Sequence, residues 1–171
     1  MIIVLNADSR IRSTQIGLAA SIGLDHLPTR PHPRVVILSA GPDLVEPGQP
    51  ISGQEEFETN SWLLTTAVRE VGAVGYRVHS IPDDEAELKD VIEDQLVRAD
   101  LIIISGERHD DSFDLITRTL EKIGEIKTVE LSIEASGRHN FGTIGPDKTP
   151  VVTLPGDPIA AYISFELLVR P

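Results

Sequence analysis

The chain alternates between two apolar patterns from Arg34 onward. Residues 34–39 (Arg-Val-Val-Ile-Leu-Ser) form a continuous β-branched and aliphatic run, the mark of a strand covered on both faces. Further strands are expected over 75–81, 101–104, 127–133 and 151–153, with 140–145 forming part of a hairpin that leads into the last of them. Between the strands the apolar period lengthens to that of a helix. Residues 59–71 carry Trp62, Leu63, Ala67 and Val71 and close at Gly72; Trp62 is read as core. Residues 84–99 repeat Leu88, Val91, Ile92, Leu96 and Ala99 opposite an acidic face, and 112–123 place Leu115, Ile116, Thr119, Leu120 and Ile123 on one stripe. An apolar helix is expected over 158–169. Strands that alternate with helices predict an α/β fold: three α/β/α layers around a mostly parallel sheet, with helices on both faces. Ahead of this pattern, 14–24 read as a small amphipathic helix with Ile16, Ala19, Ala20 and Leu24 on one side. Gly23, Pro28, Pro31 and Pro33 make a stiff connector. Residues 1–32 are therefore taken as a helix and connector from a preceding domain, and 33–171 as the α/β domain.

Composition narrows the function. A length of 171 residues suits one α/β domain with a real core. No stretch approaches the roughly 18 to 20 apolar residues of a membrane span, and 1–6 lack the basic flank and cleavage site of a signal peptide. The chain has no cysteine, which removes disulfides, thiolate metal sites and a cysteine nucleophile, and fits a cytoplasmic location. A net charge of −12 argues against nucleic acid or an anionic membrane as partner. An anionic ligand has to be held locally, by backbone amides, a few basic side chains or a divalent ion. The five histidines show no metal spacing, and no P-loop, Gly-x-Gly-x-x-Gly or Gly-x-Ser-x-Gly motif is present.

In such a sheet ligands bind beyond the carboxyl ends of the strands. The sequence places four loops there: 39–43 (Ser-Ala-Gly-Pro-Asp), 82–84 (Pro-Asp-Asp), 105–111, and 154–158 (Leu-Pro-Gly-Asp-Pro). In the last, Gly156 permits a tight turn, Asp157 stands where an N-cap belongs and Pro158 where a first helical residue belongs. The opening amides of that helix are expected to face an anion. The carboxylates around these loops suit a phosphorylated ligand held with Mg²⁺, a hard ion that often sits between one or two carboxylates and phosphate. Each also has a plainer reading. Asp84, with Glu87 three residues on, is placed to cap a helix, and so is one of Asp110, Asp111 and Ser112. Asp114, expected in the first turn of a helix, suits its macrodipole. His109, next to two aspartates, is either a ligand or base, or simply solvated.

The loops resemble those of the molybdopterin molybdotransferases, the bacterial MoeA proteins and the gephyrin E domain. Residues 39–50 (Ser-Ala-Gly-Pro-Asp-Leu-Val-Glu-Pro-Gly-Gln-Pro) are similar to the family's Ser-Thr-Gly-Asp-Glu-Leu-x-x-Pro-Gly. The likeness continues through Gly53-Gln54, Thr59-Asn60-Ser61, Pro82-Asp83-Asp84, Ala99-Asp100-Leu101, Ser105-Gly106, the 154–158 turn, 164–167 and 169–171. The resemblance implies a molybdopterin-binding domain of the MogA-like type, part of a larger protein with further domains on either side. It implies elongated homodimers with the site at the subunit boundary, Mg²⁺, and molybdate and adenylylated molybdopterin as substrates for molybdenum cofactor formation. The family's catalytic and metal-holding carboxylates map onto Asp43, Asp84 and Asp114. Its ligand contacts map onto Ser39, Gly41, Ser105, Gly106, Ser112, Arg138, Pro155, Gly156, Asp157 and Pro158, with Asp157 in place of the family's Asn.

Three departures bear on activity. Residues 105–112 read Ser-Gly-Glu-Arg-His-Asp-Asp-Ser where the family has Ser-Gly-Gly-Val-Ser-x-Gly-Asp. Residues 134–138 read Glu-Ala-Ser-Gly-Arg where it has Lys-Pro-Gly-Lys-Pro, so two phosphate-binding lysines are replaced, with Arg108 and Arg138 as the candidates to compensate. Pro42 replaces an Asp. The first expectation is a divergent molybdotransferase domain. A second is a non-catalytic binding or scaffolding relative, and a third is a nucleotide-handling enzyme on the same fold, such as an adenylyltransferase or a CinA-like pyrophosphatase.

Overall fold

Val35, Val36, Ile37 and Leu38 cannot reach water on either face of the sheet, which is why an uninterrupted apolar run suits Arg34–Ser39 (β1). Side chains alternate across a strand, so the run feeds two cores. Val36 and Leu38 join Ile102, Ile104 and Val151 on one face, covered by Leu88 and Ile92 of Glu85–Leu96 (α3) and by Ile116 and Leu120 of Asp110–Ile123 (α4). Val35 and Ile37 join Ile103, Val152 and Leu154 on the other, covered by Leu64, Ala67 and Val68 of Asn60–Glu70 (α2) and by Ala161 of Pro158–Ser164 (α5). Each fully buried Ile or Leu contributes about 1.5–3 kcal/mol. The helix layers on both faces meet the expected architecture. The computed structural model describes residues 3–79, 82, 84–106, 110–131 and 137–171, the side chains at 110 and 111 excepted.

The six-stranded sheet runs Val74–Arg77 (β4), β1, Leu101–Ser105 (β5), Thr149–Leu154 (β8), Arg138–Ile144 (β7), Gly124–Glu130 (β6). The first four are parallel, with Val36 beside Ile102 and Ile102 beside Val151; β7 and β6 return antiparallel. The expected hairpin into the last strand is therefore β7–β8, turned by Gly145 at φ +71°.

Several boundaries differ from the sequence reading. The strand expected over 75–81 is Val74–Arg77, and residues 80 and 81 lie outside the described set. The strand expected over 127–133 begins at Gly124, a residue that could equally have ended the helix expected over 112–123. A Cβ there would stand 2.1 Å from the Thr143 carbonyl, so glycine serves close strand approach instead. Helix α4 starts at Asp110, so Asp114 lies one turn inside it rather than in its first turn. The last helix widens into a π-helical turn at Phe165–Val169. The loop 40–58 holds a parallel pair, Leu44–Val45 (β2) and Glu56–Phe57 (β3), too short for any periodic signal.

Trp62 is not core: it is 51% exposed. Helix α2 buries Asn60, Ser61, Leu64, Thr65, Ala67 and Val68, a face that includes three polar residues. That choice rotates Trp62 to the outer side.

The chain divides into two compact units, Met1–Pro31 and His32–Pro171. In the first, Ser13–Ser21 (α1) buries only Ala19, while Ile16, Leu18 and Leu24 are exposed. The expected buried stripe is absent there, since a unit this short is below the roughly 40 residues that usually support a core. Among the described residues no helix is long and apolar enough to cross a membrane.

One core group carries a pH signature. His139 is fully buried; its Nδ1–H donates to the Gly137 carbonyl at 3.3 Å, and Nε2 accepts from Ser164 Oγ at 2.9 Å. Burial holds its pKa below the ordinary imidazole value. The unfolded chain therefore takes up this proton more readily than the folded one. The resulting stability is present above the ordinary pKa of about 6.5 and is lost as pH falls through and below it. The urea midpoint should decline from about pH 7 to about pH 5.5, and His139→Gln should flatten that part of the profile. An unchanged slope in the variant would remove His139 as its source.

Candidate functional site

The strand ends are tied to one another by backbone bonds. Ala40 N–H donates to the Ser105 carbonyl at 2.9 Å, and Gly41 N–H donates to the Pro82 carbonyl at 3.0 Å. The loops after β1, β4 and β5 thus meet, as the parallel order requires. Asn60, 4% exposed at the start of α2, draws in the loop after β8. Its Nδ2 donates to Ser105 Oγ at 2.7 Å, the Gly156 carbonyl at 2.7 Å and the Pro155 carbonyl at 3.4 Å. Ser105 Oγ donates in turn to the Pro155 carbonyl at 3.1 Å.

Beside this junction lies a cavity of about 340 Å³. Its lining combines Gly106, Gly156 and Pro158 with Asn60, Thr59 and the acidic stretch Glu55, Glu56 and Glu58. Gly106 is held tight against α4, where an added Cβ would stand 2.4 Å from Ser112 Oγ. The apolar part of the wall comes from Leu44, Ile51 and Phe57, presented by the short β2–β3 pair.

Most of the residues nominated from sequence fall into three groups, while Gly41 and Pro155 enter the backbone junction described above. Gly106, Gly156 and Pro158 line the cavity. Ser39, Ser105 and Ser112 are buried in the framework, with the Ser39 hydroxyl donating to Glu58 Oε1 at 2.7 Å. The carboxylates stand apart. Asp43 is half-buried and accepts the Glu56 N–H at its backbone carbonyl, 2.8 Å away. Asp84 caps α3, accepting Glu87 N–H at 2.9 Å, as its plainer reading held. Asp114 pairs with Arg138 at 3.3 Å, and the Arg138 guanidinium lies 4.3 Å over the Phe113 ring. Among the described residues no three His, Asp or Glu side chains form a group able to hold a metal ion. The expectations placed on Asp83, Glu107, Arg108, His109 and Glu134-Ala135-Ser136, and on the side chains of Asp110 and Asp111, fall outside the described residues.

The 154–158 turn departs from expectation in one respect. Asp157 is the N-cap and Pro158 the first helical residue, as predicted. The amides expected to face an anion are already occupied, however: Ile159 N–H and Ala160 N–H both donate to Asp157 Oδ1 at 3.0 Å. A carboxylate at the N-cap is itself the anion that these donors and the helix dipole attract.

Sequence reasoning missed the ionic centre under the site. Glu58 is 1% exposed, with four donors on its carboxylate. Oε1 accepts Ser39 Oγ and Ser61 N–H, both at 2.7 Å; Oε2 accepts Ser61 Oγ at 2.5 Å and Arg77 Nη2 at 3.2 Å. Arg77, its side chain 7% exposed, also bonds Ser61 Oγ at 2.6 Å through Nε and pairs with Glu46. The available signal was a carboxylate just ahead of α2, where the helix N-terminus favours negative charge. In sequence it reads only as one more loop acid.

Comparison with known proteins agrees with this architecture. Residues 36–171 match the family described as the probable molybdopterin binding domain. Molybdopterin molybdenumtransferase 1 of Mycobacterium tuberculosis is 29% identical over 169 residues, covering 99% of this chain and 40% of the relative. Molybdopterin molybdenumtransferase 2 of the same organism is 32% identical over 174 residues, covering 98% and 42%. A crystal structure of a molybdopterin biosynthesis MoeA protein from Pyrococcus horikoshii superposes with a TM-score of 0.79 at 28% identity, over 94% of this chain and 39% of that one. The chain thus spans about 40% of the length of these curated relatives. With residues 36–171 matching the family and the MoeA structure superposing over 94% of the chain, the chain belongs to the molybdopterin-binding domain family of molybdenum cofactor biosynthesis.

Proposed function

We propose that this domain binds molybdopterin or its adenylylated form in the 340 Å³ cavity at the strand ends, as the pterin-holding part of a molybdopterin molybdotransferase. One observation carries the reading: Asn60 fastens the loops after β5 and β8 together beside that cavity, in a chain of this family. Gly106, Gly156 and Pro158 contact the ligand, and Ser39, Ser105 and Ser112 hold the loops that carry those contacts. In the whole protein, acting as a cytoplasmic homodimer, the domain presents the pterin for molybdate insertion. Residues 1–32 then lead in from a preceding domain.

Magnesium fits this reading only in its usual form, with one or two carboxylates and the ligand's own phosphate, rather than an all-protein cage. Asp43, Asp84 and Asp114 are the candidate carboxylates. The ion's contribution is to neutralise phosphate beside a lining that contains Glu55, Glu56 and Glu58. A non-catalytic binding relative is the second reading, favoured by the engagement of Arg138 with Asp114 and Phe113 rather than with an open phosphate site.

Calorimetric titration of both pterin forms, with and without Mg²⁺, tests the reading. Binding should tighten at least tenfold with Mg²⁺. Asp114→Ala should remove that enhancement while leaving the circular dichroism and melting curve unchanged. Absence of binding by either form would defeat the proposal, and binding indifferent to Mg²⁺ would leave the non-catalytic reading.

A further inference from the structure

We propose that the cleft between α2 and β4 is a second ligand site, shaped for a flat ring bearing an anionic oxygen group. The cleft encloses about 330 Å³, within the size range of small-molecule sites, about 300–1,000 Å³. It shares no described lining residue with the strand-end cavity, so it stands independently of the pterin reading.

Its charge runs against that of the chain. The protein carries a net charge of −12, yet this cleft is lined by Arg69, Arg77, Arg98 and His79, with no carboxylate among its described lining residues. Arg77 is neutralised from behind by Glu58 and Glu46. Arg69 donates to the Gly75 carbonyl at 2.9 Å and Arg98 Nε to Gln95 Oε1 at 2.9 Å. Neither forms an ion pair with a carboxylate among the described residues. A guanidinium has five N–H donors, so both keep donors for an incoming anion.

The aromatic half is equally specific. Trp62 stands half in the open with the Arg77 guanidinium 4.2 Å from its ring centroid, and Arg98 lies 5.3 Å from the Tyr76 ring. Guanidinium stacking fixes such rings and leaves area for a further flat group. His79 adds a directed donor. Arg77 can only donate, so its 2.8 Å bond requires His79 Nδ1 to accept, and the ring hydrogen then sits on Nε2. At the back of the cleft Thr65 is 4% exposed, and its hydroxyl has no partner among the described residues. A buried hydroxyl left unbonded is costly, and a ligand oxygen or water would satisfy it. The ligand ring stacks on Trp62 or Tyr76 while its phosphate or carboxylate accepts from Arg69 and Arg98.

Trp62 is the only tryptophan in the chain, so intrinsic fluorescence reports directly on this cleft. Phenyl phosphate, benzoate and inorganic phosphate are titrated separately into the intact protein, with calorimetry alongside. Saturable quenching by phenyl phosphate is expected for a phosphate site, and by benzoate for a carboxylate site. The better aryl anion should bind at least tenfold more tightly than inorganic phosphate. Arg98→Gln, which removes the bonds to Gln95 and the stacking on Tyr76, and Arg69→Gln should each weaken binding at least tenfold with circular dichroism unchanged. Asp114→Ala should leave it unaltered. The proposal is overturned if neither aryl anion gives a saturable change, or if inorganic phosphate binds as tightly. It is also overturned if both arginine variants bind like the parent, or if Asp114→Ala abolishes the signal.

Discussion

Glu58→Ala is expected to destabilise the protein by about 3 kcal/mol, the low end of the cost of breaking a buried ion pair. The carboxylate serves two ends of one framework: Ser39 at the tip of β1 and Ser61 in the first turn of α2. Removing it strips the partner from the Ser39 hydroxyl and uncaps the Ser61 amide, each buried donor costing about 1–3 kcal/mol if left unbonded. It also takes one of two carboxylates from Arg77, whose side chain is only 7% exposed. The remaining partner, Glu46, keeps the loss from reaching the upper end of the range. A urea unfolding midpoint gives the change directly. The double variant Glu58→Ala with Arg77→Met should recover part of it, because an apolar replacement for both charges leaves no buried ion unpaired. A single-variant loss below about 1 kcal/mol would mean that the Glu58–Arg77 centre is not what holds α2 to β1.

What sequence could and could not disclose follows from the range of each interaction. Asp157-Pro158 was legible because an N-cap and its first helical residue are local chemistry, and the structure has Asp157 bonded to the amides two and three residues on. The run through β1 was legible because burial on both faces leaves no polar position to confuse the period. Trp62 was misread because α2 spends its buried face on Asn60, Ser61 and Thr65, and hydropathy assigns polar residues to the outside. Those polar residues are buried to serve partners far along the chain: Asn60 reaches Ser105 and Gly156, and Ser61 reaches Arg77. No spacing rule couples residues separated by 45 or 96 positions. Gly124 was ambiguous for a similar reason, since a glycine after a helical stripe ends helices and also admits close strands; the Thr143 carbonyl decides between them. The acidic lining of the strand-end cavity was hidden because β2 and β3 are two residues each, too short to show a period.

Asn60→Asp should be more damaging than its one-atom change suggests. The side-chain orientation is fixed by chemistry: the Pro155 and Gly156 carbonyls only accept, so the amide nitrogen must face them. Substitution puts a carboxylate oxygen where that nitrogen stood, 2.7 Å from the Gly156 carbonyl, at a site 4% exposed. Two acceptors then face each other, and the charge has no cation among the bonds Asn60 makes. A loss of about 3 kcal/mol at neutral pH is expected from the lost donor and the buried charge. The loss carries its own pH signature. Burial and facing carbonyls raise the introduced carboxyl's pKa in the folded state. A raised pKa gives a contribution fully present below the unfolded value, about 3.9, and lost as pH rises through the folded value. The variant should therefore regain stability relative to the parent on acidification, when the protonated carboxyl can donate to Gly156 again. Asn60→Ala takes the same donor from the Gly156 carbonyl but introduces no charge, so its deficit should stay level with pH. Urea midpoints of the three proteins from neutral pH down to about pH 4 separate these cases. If Asn60→Asp and Asn60→Ala track each other across that range, the amide is not the clasp between α2 and the 155–156 turn. If they diverge as expected, pterin binding at neutral pH should fall at least tenfold in Asn60→Asp, because the turn that brings Gly156 and Pro158 to the cavity has lost the bond that positions it.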